Sequence, residues 1–255
     1  MAKILGEAGH YPSDQAQISH RRMMFAGLGA FGVIGGILGF HIGWWLPVGK
    51  KESIIVMVVG VAVILAAIGV ATYSVRKMDE FERTRRSMRK GADGESRVSQ
   101  ILGDFPESFR VINGLSTPFG DLDHIVIGPT GVFVVDSKNW RGVVSSDGKG
   151  ELLLNGKPTS KVSIRPIIAR TMDVKEKVQV HCGFELPYFQ VVLAFTSAWV
   201  DARWGTTGKA LCVSDDGLFE LIVENKNGTK LNGLQVDAVA RGFAALATMD
   251  KDSRR

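Results

Sequence analysis

Cysteine is scarce in this chain of 255 residues: Cys182 and Cys212 are the only two. They lack metal-ligand spacing and lie in apolar surroundings. That excludes a disulfide scaffold and a zinc–thiolate centre, and leaves two free, buried thiols. No internal repeat and no low-complexity tract is present, so a solenoid and a composition-driven disordered chain are excluded as well. The C-terminal two thirds also lack a basic excess. Residues 1–90 hold 12 Lys and Arg against 6 Asp and Glu, which is +6; the whole chain is +5, so residues 91–255 carry −1. Any nucleic-acid footprint there is a local patch, or borrows the arginines that precede it.

Two charge-poor runs stand out. Met23 to Leu46 contains no Asp, Glu, Lys or Arg, and neither does Ile54 to Tyr73. Each is long enough to cross a hydrocarbon core, which takes about 20 apolar residues as helix. The first begins after a polar stretch, and no small-residue cleavage site follows Trp44-Trp45, so a retained anchor is expected rather than a signal peptide. Trp44, Trp45 and Tyr73 stand where interfacial aromatics belong. The link Pro47–Ser53 is short, so the pair reads as a helical hairpin. Arg21 and Arg22 flank the first run; Arg76, Lys77, Arg83, Arg85, Arg86, Arg89 and Lys90 follow the second; the link has only Lys50 and Lys51. By the positive-inside rule both termini are cytoplasmic.

The expected organisation is an integral, two-pass protein of the cell membrane. A cytoplasmic tail occupies 1–22, two transmembrane helices lie in 23–75, a basic juxtamembrane helix covers 76–90, and a soluble domain covers 91–255. The basic segment suits anionic lipid headgroups of the bilayer, at about 1 kcal/mol per residue near the surface, or nucleic-acid phosphate. Gly35, Gly39 and Gly43 recur on one helix face that permits close helix contact. The second span, another membrane protein or a further copy of the chain would fit it.

Beyond Gly91-Ala-Asp-Gly94, expected to interrupt the helix, a new helix is predicted from about Asp93 to Leu102. Strands follow near 109–113, 122–127, 132–137 and 142–145, and a hairpin turns at Asn155-Gly156. A helix is predicted over 163–181, with Pro166 tolerated in its first turn. Strands near 188–195 and 210–213 and helices near 218–224 and 234–249 complete an α/β layered pattern. Trp199, Arg203 and Trp204 are expected on a loop.

The chemistry concentrates in Asp121-Leu-Asp-His-Ile-Val-Ile-Gly-Pro-Thr-Gly-Val-Phe-Val-Val-Asp-Ser-Lys138. It reads as a β-hairpin that brings Asp123 near Asp136. Residues two apart in a strand share a face, so Asp136 and Lys138 face together, Asp121 joins Asp123, and Ser137 and His124 are expected to point away. Paired acids with a lysine at the ends of buried strands suit a divalent-metal hydrolytic centre. Surface ion pairs of little consequence are the plain alternative.

Four features occur in order: Gly94-Glu95, Asp121-Leu-Asp-His124, Gly131-Val-Phe-Val-Val-Asp-Ser-Lys138 and Asn139-Trp-Arg-Gly142. Together, over about Gly91 to Glu224, they resemble the nuclease-related domain (NERD) family of the PD-(D/E)xK nuclease superfamily. The resemblance implies a restriction-endonuclease-like α/β core, a central mixed sheet flanked by helices. It implies Mg²⁺ or Mn²⁺ held by Asp123, Asp136 and Glu95, with Lys138 completing the catalytic set, and hydrolysis of nucleic-acid phosphodiester bonds. Asp121, Trp140, Arg165 and Arg170 are further candidates for substrate contact. Trp140 either stacks on a base or closes the edge of the core. One departure stands out. Many members carry a glutamine early in the helix after the hairpins, whereas Arg165-Pro-Ile-Ile-Ala-Arg170 puts Ala169 at that place. A catalytically impaired nucleic-acid-binding module and a membrane scaffold therefore stand as alternatives to a nuclease.

Overall fold

The computed structural model describes residues 1–4, 52–117, 120–148, 151–159, 164–202, 210–225 and 228–253. The chain divides into two compact units, Met1–His10 with Lys90–Arg255, and Tyr11–Arg89. The architecture is mixed α/β. In the first unit a six-stranded sheet runs in the order β1 (Lys3–Ile4), β2 (Arg110–Leu115), β3 (Leu122–Gly128), β4 (Gly131–Lys138), β8 (Phe189–Phe195) and β10 (Ala210–Ser214). The β2–β3–β4 meander is antiparallel, while β1 on β2, β8 on β4 and β10 on β8 are parallel. A smaller sheet is ordered β7 (Lys157–Pro158), β6 (Leu152–Leu154), β5 (Gly142–Ser146) and β9 (Ala198–Val200).

Helices are α1 (Glu52–Gly103), α2 (Ile164–Gln179), α3 (Leu218–Ile222) and α4 (Gly233–Ser253). Alternation along the strands sorts the large sheet into two faces. Val126, Phe133 and Val135 pack with Val98 and Leu102 of α1 and with Leu218 and Ile222 of α3. Ile125, Ile127, Val132 and Val134 pack with Val174 and Val178 of α2 and with Val239 and Phe243 of α4. The central strands are apolar on both faces because both are covered. Phe105 meets Phe109 and Phe219 edge-on, each at 5.7 Å, and the Arg97–Asp215 ion pair ties α1 to the turn before α3.

Several expectations need correction. Residues 1–22 were expected as a tail, yet Lys3 and Ile4 pair with Arg110 and Val111, and Ala2 is buried against the α1 face of the sheet. Two residues carry no readable period, so a long-range edge pairing of this kind leaves no sequence signature. The helix does not break at Gly91–Gly94 but runs through to Gly103. Glycine costs a helix about 1 kcal/mol, and at Gly94 close packing offsets it. Trp199 lies on β9 rather than on a loop and is exposed; Arg203 and Trp204 lie outside the described residues. The expected span Met23–Leu46, with Gly35, Gly39 and Gly43, lies outside them too. Ile54–Tyr73 falls on α1, where the structure describes the helical course but few of the side chains. Among the described residues no helix is long and apolar enough to cross a membrane.

Candidate active site

The paired ladder of β3 and β4 ends at His124 and Val135. One step further, Asp123 and Asp136 stand at adjacent strand ends. The amide of Ser137 has no strand carbonyl beyond that point, and the Asp123 carboxylate takes its place. Asp123 Oδ2 accepts from Ser137 N at 2.8 Å and from Ser137 Oγ at 3.1 Å. Ser137 was expected to point away from the site. Its hydroxyl reaches the site because strand alternation governs side-chain faces inside a ladder and loosens where the ladder ends.

Asp136 Oδ2 and Lys138 Nζ form an ion pair with both side chains largely buried. Lys138 Nζ also donates to Ser137 O at 3.3 Å. Asp136 Oδ2 is sealed from solvent, and the Lys138 ammonium faces it. Burial pushes the Asp136 carboxyl up to about 6; Lys138 opposes the rise, Asp123 adds to it, and Arg170 opposes it. Burial works against the ammonium of Lys138, but Asp136, Asp123 and Glu95 outweigh it and hold the group above its ordinary value. Lys138 is thus a persistent cation and hydrogen-bond donor.

Glu95 arrives from α1, on the other face of the sheet. A side chain at Gly94 would lie 3.2 Å from Asn139 Cβ and 3.6 Å from Thr196 Oγ1, so glycine lets the helix close on the ends of β4 and β8. Asn139 Nδ2 donates to Lys90 O at 2.9 Å, and Asn139 Oδ1 accepts from Ser197 Oγ at 2.9 Å. This packing sets Glu95 near enough for its charge to act on Lys138. It does not complete the expected trio: among the described residues no group of three His, Cys, Asp or Glu is placed to hold a metal ion.

Asp121 is exposed; its Oδ1 accepts from Ser116 Oγ at 2.6 Å, and its backbone oxygen accepts from Arg170 Nη1 at 2.8 Å. On α2, Arg165 and Ala169 are exposed, whereas Arg170 turns inward. Trp140 packs on Phe195 with ring centroids 5.4 Å apart. His124 is fully buried on the α1 face. Asn113 Nδ2 donates to Ser99 Oγ at 2.8 Å, so Asn113 Oδ1 accepts from His124 Nδ1–H at 2.7 Å. Burial lowers the imidazole to about 4 against a weaker opposing pull from Asp123. His124 is therefore neutral, and it faces away from Asp123. The sequence reasoning missed Ser137 as a partner of Asp123, and Thr196, whose buried hydroxyl lies beside Gly94. A polar residue ending an apolar strand is the one signal that Thr196 offers.

The profile of the nuclease-related domain family, NERD, matches residues 90–196. An uncharacterized protein of Bacillus anthracis is 41% identical over 66 residues, which cover 24% of this chain and 31% of that protein. The chain thus spans about a third of the length of the curated relative it matches. No solved structure matches. The matched segment opens at the helix that carries Glu95 and closes on Thr196, so it encloses Asp123, Asp136 and Lys138. Over residues 90–196 the chain is therefore similar to the nuclease-related domain family.

Proposed function

We propose that this protein is a divalent-metal-dependent nuclease with a restriction-endonuclease-like core, held at the cytoplasmic face of the cell membrane by two helices. The observation that carries the catalytic part is the meeting of Asp123, Asp136 and Lys138 at the ends of β3 and β4, with Asp136 Oδ2 buried against the Lys138 ammonium. Two carboxylates at adjacent strand ends suit a hard cation. Asp123 and Asp136 would hold Mg²⁺ or Mn²⁺, which when bound supplies charge for the phosphate and leaving oxygens and acidifies water. Lys138 donates a hydrogen bond and positive charge to the attacked phosphate. Without the metal, the neighbouring carboxylates hold it above its ordinary value. Asp136, Asp123 and, more weakly, Glu95 favour the charged form of that ammonium.

The anchor rests on the two apolar runs and the arginine bias. The pairing of β1 with β2 adds support. With Lys3 and Ile4 paired to Arg110 and Val111, any bilayer crossings before Lys90 would have to be even in number, as two spans are. The test is the full-length protein in detergent, incubated with single- and double-stranded DNA and RNA, with and without Mg²⁺ or Mn²⁺. Metal-dependent cleavage that is abolished in Asp136→Ala is expected; cleavage retained in full by that variant removes the assignment. A second reading, a binding module without turnover, is favoured by Ala169 and by the lack of a three-carboxylate cluster among the described residues. Binding without cleavage under any divalent ion would establish it.

A further inference from the structure

We infer that the outer face of the smaller sheet binds single-stranded nucleic acid: an unpaired base stacks on Trp199, and Arg141 holds phosphate between that base and the catalytic centre. The inference rests on the nuclease reading above and names its substrate class. The inner face of this sheet is taken up by packing. Val144, Leu152 and Ala198 are buried in one cluster with Val191, Leu193 and Phe195 of β8. Alternation then turns Val143, Leu153 and Trp199 outward, where a sheet covered on one side ordinarily shows polar residues. Trp199 is 76% exposed, and its neighbour across the ladder, Val143, is 43% exposed. The indole is held by a strand, not a loop. Trp140, by contrast, is half-buried on Phe195, so among the described residues Trp199 is the accessible indole.

Position and charge point to the occupant. β5 begins four residues after Lys138, and β9 begins three residues after Phe195, the strand partner of Lys138. Four residues of chain reach at most about 14 Å. The two strands are parallel, so both run away from the catalytic centre. The Asn155-Gly156 turn lies at their near end, because Asn155 Oδ1 accepts from Val143 N at 2.9 Å. Charge is sorted along this axis. Arg141 and Lys157 stand at the near end, exposed and without a partner among the described residues. Asp147, Glu151 and Asp201 are exposed at the far end, where β5 and β9 stop and β6 starts. A polyanion leaving the centre therefore meets cations first and an aromatic surface next. Those cations suit a phosphate-bearing occupant better than a second copy of the chain. Bases inside a duplex hide their faces in the stack, whereas an unpaired base offers its face to an indole.

The test is fluorescence anisotropy of labelled single-stranded DNA, single-stranded RNA and blunt duplex DNA on the full-length protein in detergent. It is run in EDTA, to prevent cleavage, across a series of KCl concentrations. Trp199→Ala is expected to weaken single-strand binding roughly five- to hundredfold, as for the loss of one stacked base. The slope of log affinity against log salt should not change, and duplex binding should not move. Trp199→Phe keeps an aromatic face and should retain most of the affinity. Trp199→Leu keeps apolar bulk without that face and should behave as the alanine variant. Arg141→Gln should flatten the single-strand slope by about 0.7, and it serves independently if a Trp199 variant fails to fold, which a thermal melt reveals. Trp199→Leu binding as well as Trp199→Phe, or equal losses on duplex and single strand, would overturn the inference. So would an unchanged affinity in Trp199→Ala with a lower oligomeric mass by light scattering, which would give the face to a second copy. If wild type cleaves in Mg²⁺ and every variant binds as wild type does, the stacking face falls and the nuclease reading stands. If wild type neither binds nor cleaves any of these nucleic acids, both fall.

Discussion

Asp136→Asn isolates the energetic cost of the site. Burial raises the Asp136 carboxyl from 3.8 to about 6, a differential stabilisation of the protonated form by about 3 kcal/mol. The folded state therefore binds more protons than the unfolded state between pH 3.8 and about 6, and stability falls as pH rises through that window. Above it, the ionised carboxylate burdens the metal-free fold by the full amount. Asparagine keeps the shape and removes the titration. Below the window Lys138 faces a neutral group in both proteins, so its lost partner does not enter the pH-dependent difference. His124 titrates in an overlapping window with the opposite sign: its folded value of about 4 lies below the ordinary 6.5, so it removes stability as pH falls. Because His124 is present in both proteins, its contribution drops out of the comparison. In EDTA, Asp136→Asn should gain about 3 kcal/mol on wild type between pH 4 and pH 8. For a protein of this size that is about 6–12 °C in the Tm difference, measured by scanning calorimetry. Saturating Mg²⁺ at pH 8 should raise the Tm of wild type and leave the variant unmoved, since the ion binds the ionised carboxylate. A Tm difference that does not change with pH, or that favours wild type more at pH 8 than at pH 4, would refute the reasoning.

Gly94 and Gly91 should respond oppositely to a side chain. Gly94→Val presses on Asn139 and Thr196 and should cost about 1–3 kcal/mol by overpacking, whereas Gly91→Ala meets nothing within 4 Å and should gain about 0.4–1 kcal/mol; chemical denaturation of both distinguishes them. Ala2→Asp puts an unpaired carboxylate among Val98, Leu102 and Phe105 and should lower stability by about 1–3 kcal/mol, so an unchanged melt would dismiss β1. The His124 ring should stay neutral to about pH 4, with the proton on Nδ1, as read by NMR of ¹⁵N-labelled histidine. Reporter fusions at Lys50 and at the C-terminus should fall on opposite sides of the membrane; finding both on one side would remove the hairpin topology.

What the sequence disclosed follows from the range of the interaction. The hairpin 122–138 was legible because its strands carry short apolar runs, a tight turn and charges at one end, all local signals. The helix over α2 and the Asn155-Gly156 turn were legible for the same reason. Features set by partners distant in the chain were not. The smaller sheet depends on Gly142–Val144 finding Ala198–Val200, and β1 depends on Arg110 and Val111. At the site, period-2 reasoning assigned faces correctly for Asp136 and Lys138 but misplaced Ser137. The end of a ladder is where amides lose strand partners and side chains replace them. The convergence of Glu95 with the two aspartates was inferred from a motif order. Order cannot report how closely a helix residue and the strand ends come together; among the described residues no three acidic groups are placed to hold a metal ion.

That arrangement makes the position of Glu95 a property of the domain rather than of the chain that precedes it. Residues 90–103 are fixed at both ends and in the middle. Asn139 holds Lys90 O, and Gly94 lies on Asn139 and Thr196. Arg97 pairs with the buried Asp215. Ala2 N donates to Gly103 O at 3.3 Å, and Ile4 lies against Gly103. A helix pinned at three points along four turns cannot translate without breaking several of these contacts at once, and packed interfaces move between discrete arrangements rather than continuously. Glu95 therefore acts on Lys138 through contacts internal to this unit. The surroundings of Lys138 are set by the residues that the sheet and this short length of helix hold together.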